Sequence, residues 1–218
     1  MNIGVICEGH TDRAVIENIL KGLKNVDSSQ VVALRPQSDF DETDLSDMNV
    51  DSFGGWSAVK KECESRTKID EFLSLEGNDF IVIQIDSIES EEYGVPQPVK
   101  DKNFCAKLRS DIVNKIDEWL KDLPKSVLLY AVAIGETEAW ILAQHDSKDS
   151  SRSADPKSKL KTILGKKNIR YSHTTKDFKE ISSGFTNKRN YSKFKYFTYN
   201  QSLEDFCTEI NQKVPEAK

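Results

Sequence analysis

The sequence predicts an α/β fold: a mainly parallel sheet with helices on both faces, plus a small basic helical extension at the C-terminus. Three observations predict it. Short runs of aliphatic and β-branched residues alternate with stretches of helical periodicity from the first residues onward, the pattern of strand–helix–strand units. "DFIVIQID" (79–86) and "VLLYAVAIG" (127–135) are almost unbroken apolar runs, as strands covered on both faces require. Three such runs end in acids: Glu8, then Asp86, then Glu136 and Glu138. Sites in parallel sheets form outside the carboxyl ends of the strands, so these acids fall on the edge where function is expected.

"NIGVIC" (2–7) reads as a short strand. "TDRAVIENILKGL" follows with Ala14, Val15, Ile19, Leu20 and Leu23 at roughly helical spacing, and Thr11 and Asp12 suit its cap and first turn. "VVALRP" (31–36) is a second strand stopped by Pro36, and residues 37–52 are acidic and polar, an expected exposed loop. "GGWSAVKKECESRTKIDEFLSL" (54–75) reads as one helix restarting after two glycines. The third strand is 79–86, followed by a loop from Ser87 to Asp101 that contains two prolines and a glycine. "NFCAKLRSDIVNKIDEWLKDL" (103–123) has the pattern of a long amphipathic helix ended by Pro124. The fourth strand is 127–135, and "ETEAWILAQH" (136–145) starts a helix at its tip. Residues 146–156 are rich in Ser and Asp and read as a linker; 157–218 read as a basic region of short helices closed by "SLEDFCTEINQKV". The expected division is a domain over 1–145, the linker, and the C-terminal region.

Within 218 residues, 31 % charged and 37 % hydrophobic, no apolar run approaches the roughly 18–20 residues of a membrane span. The start "MNIGVICEGH" has neither a basic n-region nor a long apolar h-region, so secretion is not expected. Cys7, Cys63, Cys105 and Cys207 form no CxxC pair, which fits reduced thiols in a cytoplasm. His10, His145 and His173 have no HxxxH spacing, and GxGxxG and Walker A patterns are absent. Zinc, thiol and ATP chemistry are therefore not indicated.

The net charge of −5 conceals an asymmetry, because residues 157–196 hold twelve Lys/Arg against two acids, Asp177 and Glu180. The stretch 155–200 contains Tyr171, Phe178, Phe185, Tyr191, Phe194, Tyr196, Phe197 and Tyr199. Cations neutralise phosphates and exposed aromatics stack on bases, so DNA or RNA is an expected partner. Lys188, Arg189, Lys193 and Lys195 are the leading contact candidates, with Lys166 and Lys167 next. The competing reading packs the aromatics onto the sheet and leaves the lysines as a solvated face.

Taken singly, each acid has a plain structural role: Asp12 and Glu136 as first-turn residues, Asp86 in a turn. Gathered at one edge, carboxylates repel unless a cation lies between them, and all-oxygen sets suit Mg²⁺ or Mn²⁺. Such an ion leaves positions for phosphate oxygens and activates water.

The residues that carry this chemistry also carry a likeness. "VICEGHTDRAVIENIL" (5–20) resembles the first motif of Toprim domains, found in topoisomerases, bacterial primases and OLD-family nucleases: a hydrophobic strand ending in Glu-Gly, then a helix. "IVIQIDSIESE" stands where the Asp-x-Asp motif belongs, and "ETEAWILA" resembles a segment of small bacterial defence-associated Toprim-like proteins. The resemblance covers about residues 1–145 and implies a Toprim-like (Rossmann-like) fold there. It implies Glu8 as a metal ligand or general acid–base and Asp86 as a metal ligand. The second aspartate of the motif falls on Ile88. Either Glu89 or Glu91 swings in, or the site binds metal weakly, or the domain is not catalytic. Glu136 and Glu138 complete the shell, with Glu138 favoured as the inward one and as the third catalytic residue. The implied activity is Mg²⁺- or Mn²⁺-dependent nucleic-acid hydrolysis in bacterial antiphage defence, with a partner ATPase and room for a homo-oligomer. The alternative is a Toprim-shaped nucleic-acid-binding or regulatory subunit without turnover.

Overall fold

The computed structural model describes residues 1–36, 55–193 and 196–217, with no side chains described over 192–197. The acidic stretch 37–52 and Lys195 therefore lie outside the described residues, as does the Lys193 side chain. Strands β1 (Asn2–Ile6), β2 (Val31–Arg35), β3 (Asn78–Asp86) and β4 (Leu128–Ala133) form one sheet in the order β2-β1-β3-β4, parallel throughout. The chain is α/β, as the sequence predicts.

Helix α1 (His10–Lys24) joins β1 to β2; α2 (Trp56–Ser65) and α3 (Thr67–Leu73) precede β3; α4 (Phe104–Leu120) joins β3 to β4. After β4 come α5 (Glu138–His145), α6 (Pro156–Lys166), α7 (Thr175–Ile181), α8 (Lys188–Lys193) and α9 (Gln201–Lys213). Strand side chains alternate between faces, and each face has its own core. Val5, Val82, Leu129 and Ala131 pack with α1, α5, α6, α7 and α9. Ile6, Ile81, Ile83, Ile85 and Val132 pack with α2, α3 and α4. Since β1 connects outward to β2 over one face and β3 outward to β4 over the other, the strand order reverses between β1 and β3. In open α/β sheets that reversal is where a crevice opens.

The single helix expected over 54–75 is two. Arg66 adopts a left-handed conformation at φ 57°, and the Glu62 carboxylate accepts from Lys68 N at 2.8 Å. A side chain that caps the next helix rewards the break more than continued helix does.

The described residues after α5 are built into the same core as the sheet: Leu160, Leu164, Phe178, Phe185, Leu203, Phe206 and Ile210 are buried against it. Asn18 of α1 donates to Lys179 O at 2.9 Å and to Ser182 Oγ at 2.7 Å, and Gly22 leaves space for Phe185 O, which an added Cβ would meet at 1.8 Å. The stretch 146–156, expected as a linker, is packed. Ser150 Oγ donates to Ala139 O at 2.7 Å, its N–H donates to Tyr199 O, also at 2.7 Å, and Asn200 Nδ2 donates to Ser150 Oγ at 3.1 Å. Serine hydroxyls here satisfy the backbone of two helix ends instead of water. Among the described residues no helix is long and apolar enough to cross a membrane.

Candidate functional site

The reversal between β1 and β3 sets the site. Strand alternation puts Val82, Gln84 and Asp86 on the face covered by α1 and α5, whose first turns both open at this edge. Gln84 is fully buried, so its amide has to find protein partners. It accepts from Glu8 N at 2.9 Å and donates to Asp86 Oδ1 at 2.8 Å. Glu8 Oε1 in turn accepts from Asp86 N at 2.7 Å. The tips of β1 and β3 are thus stitched by a reciprocal pair of contacts, and Gly55 N–H caps the arrangement by donating to Glu8 O at 2.8 Å. That last bond uses the backbone donor of the residue immediately ahead of α2.

Thr137, fully buried ahead of α5, donates to Asp86 Oδ1 at 3.2 Å. Its hydroxyl also hydrogen-bonds Asp12, so one side chain of the β4–α5 turn joins two carboxylates from different elements. Glu138 begins α5, only 4 % exposed, and Glu136 is ion-paired with Lys157 of α6.

Proton affinities here are raised by burial first and by crowding second. Glu8 is pushed up to about 8, first by burial and then, against an opposing hydrogen bond from Asp86 N–H, by Asp12 and Glu89. Burial pushes Glu138 up to about 7, with Glu136 and Asp12 adding to it. Asp12 rises to about 6 through burial, restrained by its hydrogen bond to Thr137 and by Lys157. Asp86 lies well above the carboxylate range, through burial and then through Asp12, Glu8, Glu138 and Glu136 in turn. Lys157 pays for its burial with a lowering that Glu136, Glu138 and Asp86 more than reverse, so its ammonium is held charged. Four carboxyls within mutual electrostatic range and one ammonium leave the site short of positive charge.

Of the sequence-derived site residues, Glu8, Asp86 and Glu138 belong to this one constellation, and Glu136 sits at its rim on Lys157. Glu89 is exposed but close enough to raise Glu8. Glu91 is exposed on the same loop, and no contact ties it to the site. Ile88 is 58 % exposed. Asp12, Gln84, Thr137 and Lys157 were not singled out by sequence. A polar residue inside "IVIQID" was the available signal for Gln84, because a glutamine in a doubly covered strand needs a reason. Asp12, four residues after Glu8, is on the first turn of the helix that strand feeds.

The basic region behaves differently from its pattern. Phe178, Phe185 and Tyr191 are buried and so do not offer rings to bases. Lys166, Lys167, Lys188 and Arg189 are exposed; Lys167 Nζ donates to His145 O at 2.8 Å and Lys188 pairs with Glu216. Neither residue is near the carboxylates by any contact.

The donor chemistry fits a hard divalent cation: oxygen ligands only, buried, with a charge deficit. Among the described residues, however, no group of three or more His, Cys, Asp or Glu side chains is drawn together as a ligand set. Glu8 Oε1 and Asp86 Oδ1 are committed to hydrogen bonds, so Glu8 Oε2 and Asp86 Oδ2 are the oxygens left for a cation. No protein-family model, curated protein or solved structure matches the chain.

Proposed function

We propose that the chain is a divalent-cation-dependent phosphodiesterase acting on DNA or RNA, a nuclease of Toprim-like type. The observation that carries the reading is the convergence of Glu8, Asp12, Asp86 and Glu138 from four elements on the reversal point of a parallel sheet, with proton affinities raised by burial and by one another. Mg²⁺ or Mn²⁺ bound there by Glu8 and Asp86, with Glu138 or Asp12 completing the set, would neutralise phosphate charge and acidify a bound water.

The chain's own residues set the terms. Gln84 and Thr137 hold Asp86 in one rotamer, and Asp86 N–H holds Glu8. Glu138, close to neutral pH in its proton affinity, is suited to accept a proton from an attacking water or return one to the leaving oxygen. Lys157 holds Glu136 and presents positive charge beside the cluster. The defence role and the ATPase partner follow from the resemblance and remain part of this proposal.

The test is incubation of end-labelled single- and double-stranded DNA and RNA with the chain in Mg²⁺, Mn²⁺ or EDTA. Metal-dependent cleavage lost in Glu8→Gln and Asp86→Asn is expected. Binding without cleavage, indifferent to metal and to both substitutions, favours the regulatory reading, which the exposed Ile88 and the absence of a drawn-together ligand set among the described residues support.

A further inference from the structure

The tips of β3 and β4 carry a second feature on the side away from the carboxylates. Asp86 and Ser87 face opposite ways by strand alternation, and Ser87 lines a cavity of about 240 Å³ between the loop after β3 and the segment leading into α6. Its lining includes the apolar side chains of Ile88, Phe104 and Ile134 and the cations Lys100 and Arg152, and no carboxylate lines it; Arg152 also hydrogen-bonds the Cys105 thiol. In a chain with more acids than bases, two cations around one small cavity with no acid in its lining are set toward something external. Ile88, 58 % exposed at this cavity, leaves a large apolar side chain in water on the same opening. The Ser87 hydroxyl accepts from Gly135 N–H at 2.7 Å, which leaves its own proton to donate.

We propose that this cavity takes one nucleotide unit of a nucleic-acid strand, its base against Ile88 and Phe104 and its phosphate on Lys100 and Arg152. An inorganic anion uses the cations and leaves the apolar lining unused; an apolar molecule uses that lining and leaves the cations without an anion. A heterocycle joined to a phosphate uses both. The volume is below the roughly 300–1,000 Å³ of larger small-molecule sites, which limits the occupant to a single unit. The inference rests on the proposed phosphodiesterase reading for its purpose: the cavity and the carboxylates lie at the tip of the same strand, β3, on its two faces. It also gives residue 88 a task. Where the Toprim pattern has a second aspartate, this chain has an apolar residue directed to the neighbouring nucleotide.

The experiment titrates the full chain with AMP, GMP, CMP and UMP, with inorganic phosphate and with adenosine, by calorimetry, in EDTA so that binding is read without metal. The variants are Lys100→Ala/Arg152→Ala and Ile88→Asp, all at exposed positions. At least one monophosphate is expected to bind, and each variant is expected to weaken it by about tenfold or more. No monophosphate binding at ~10 mM, inorganic phosphate binding as well as the best nucleotide, or variants that bind like the parent chain would each overturn the proposal. Cleavage is scored separately. Nucleotide binding that follows Ile88, Lys100 and Arg152 in a chain that cleaves nothing removes the hydrolytic reading and keeps the cavity. Cleavage with no nucleotide binding does the reverse.

Discussion

Raising the pH without divalent cation should destabilise this fold. A carboxyl whose folded proton affinity exceeds its unfolded one binds more protons folded than unfolded across the interval between the two values. The contribution is therefore greatest at the acid end and is lost as pH climbs through that interval. For Glu8 the interval runs from 4.5 to about 8, for Glu138 from 4.5 to about 7, and for Asp12 from 3.8 to about 6. Lys157 is raised above its ordinary 10.5, so its contribution stays constant throughout this window. At about 1.4 kcal/mol per pH unit, Glu8 alone accounts for roughly 4–5 kcal/mol between the ends of its interval. The carboxyls share one cluster, so their contributions overlap, and roughly 4–5 kcal/mol is the scale to expect for the whole. At about 2–4 °C per kcal/mol for a chain of this size, the melting temperature in EDTA should fall by about 10 °C or more from pH ~5 to pH ~8.5.

Thermal and urea unfolding followed by circular dichroism across that range is the assay. Mn²⁺ should restore stability, and more at the alkaline end, because a cation takes the place of the protons that leave. Glu8→Gln mimics the protonated form, keeps an acceptor for Asp86 N–H, and should make the profile shallower, with Glu138 and Asp12 supplying the slope that is left. A metal-free stability that is level across the window, or a slope undiminished in Glu8→Gln, refutes the reasoning about the cluster.

Four other outcomes are expected. Gln84→Leu leaves Glu8 N–H and Asp86 without their buried partner and should cost about 2–3 kcal/mol in urea unfolding, with any nuclease activity falling as well. Gly22→Ala places a methyl group 1.8 Å from Phe185 O, a backbone atom that cannot step aside, so a loss of about 3 kcal/mol or more is expected. Lys157→Met removes the ammonium beside Glu136 and should lower stability at pH ~8 by about 1 kcal/mol, the usual ceiling for a half-exposed pair, with a smaller effect at pH ~5. Replacing Lys188, Arg189, Lys193 and Lys195 together by Ala should weaken nucleic-acid binding and make it less salt-dependent; unchanged affinity at low salt removes the basic region as a clamp.

The sheet and its edge were legible because strand ends and helix starts are local: "VICEG", "IQID" and "GETEA" announce themselves by an apolar run meeting an acid. The break between α2 and α3 was not, since it depends on Glu62 reaching Lys68 N, a choice between two uses of one carboxylate. The aromatics of the basic region were legible as rings, with core and surface both open to them in the sequence. Phe178 and Phe185 are assigned to the interior by α1, with its Gly22 and Asn18, about 160 residues earlier in the chain. Thr137 was hidden between two acids that drew attention from it. Lys157 stood in a run of lysines, and only the fold picks out the one that reaches the site.

That lysine changes what the basic half of the chain is for. Ser150, Ala139 and Asn200 fix the approach to α6, and Asp155 caps it by accepting from Ser158 N at 3.0 Å. Lys157 thereby arrives beside Glu136 with its charge felt by Glu8, Asp12 and Glu138. One ammonium cannot balance that many carboxylates, and their mutual repulsion adds to the burial that raises their proton affinities. A phosphate approaching this edge at neutral pH meets net negative charge, so it is repelled unless protons or a metal ion supply what Lys157 does not. Binding of substrate and binding of cation should therefore be coupled, each strengthening the other, and a nucleic acid that bound the carboxylate edge equally well in EDTA would contradict the electrostatics on which the site is built.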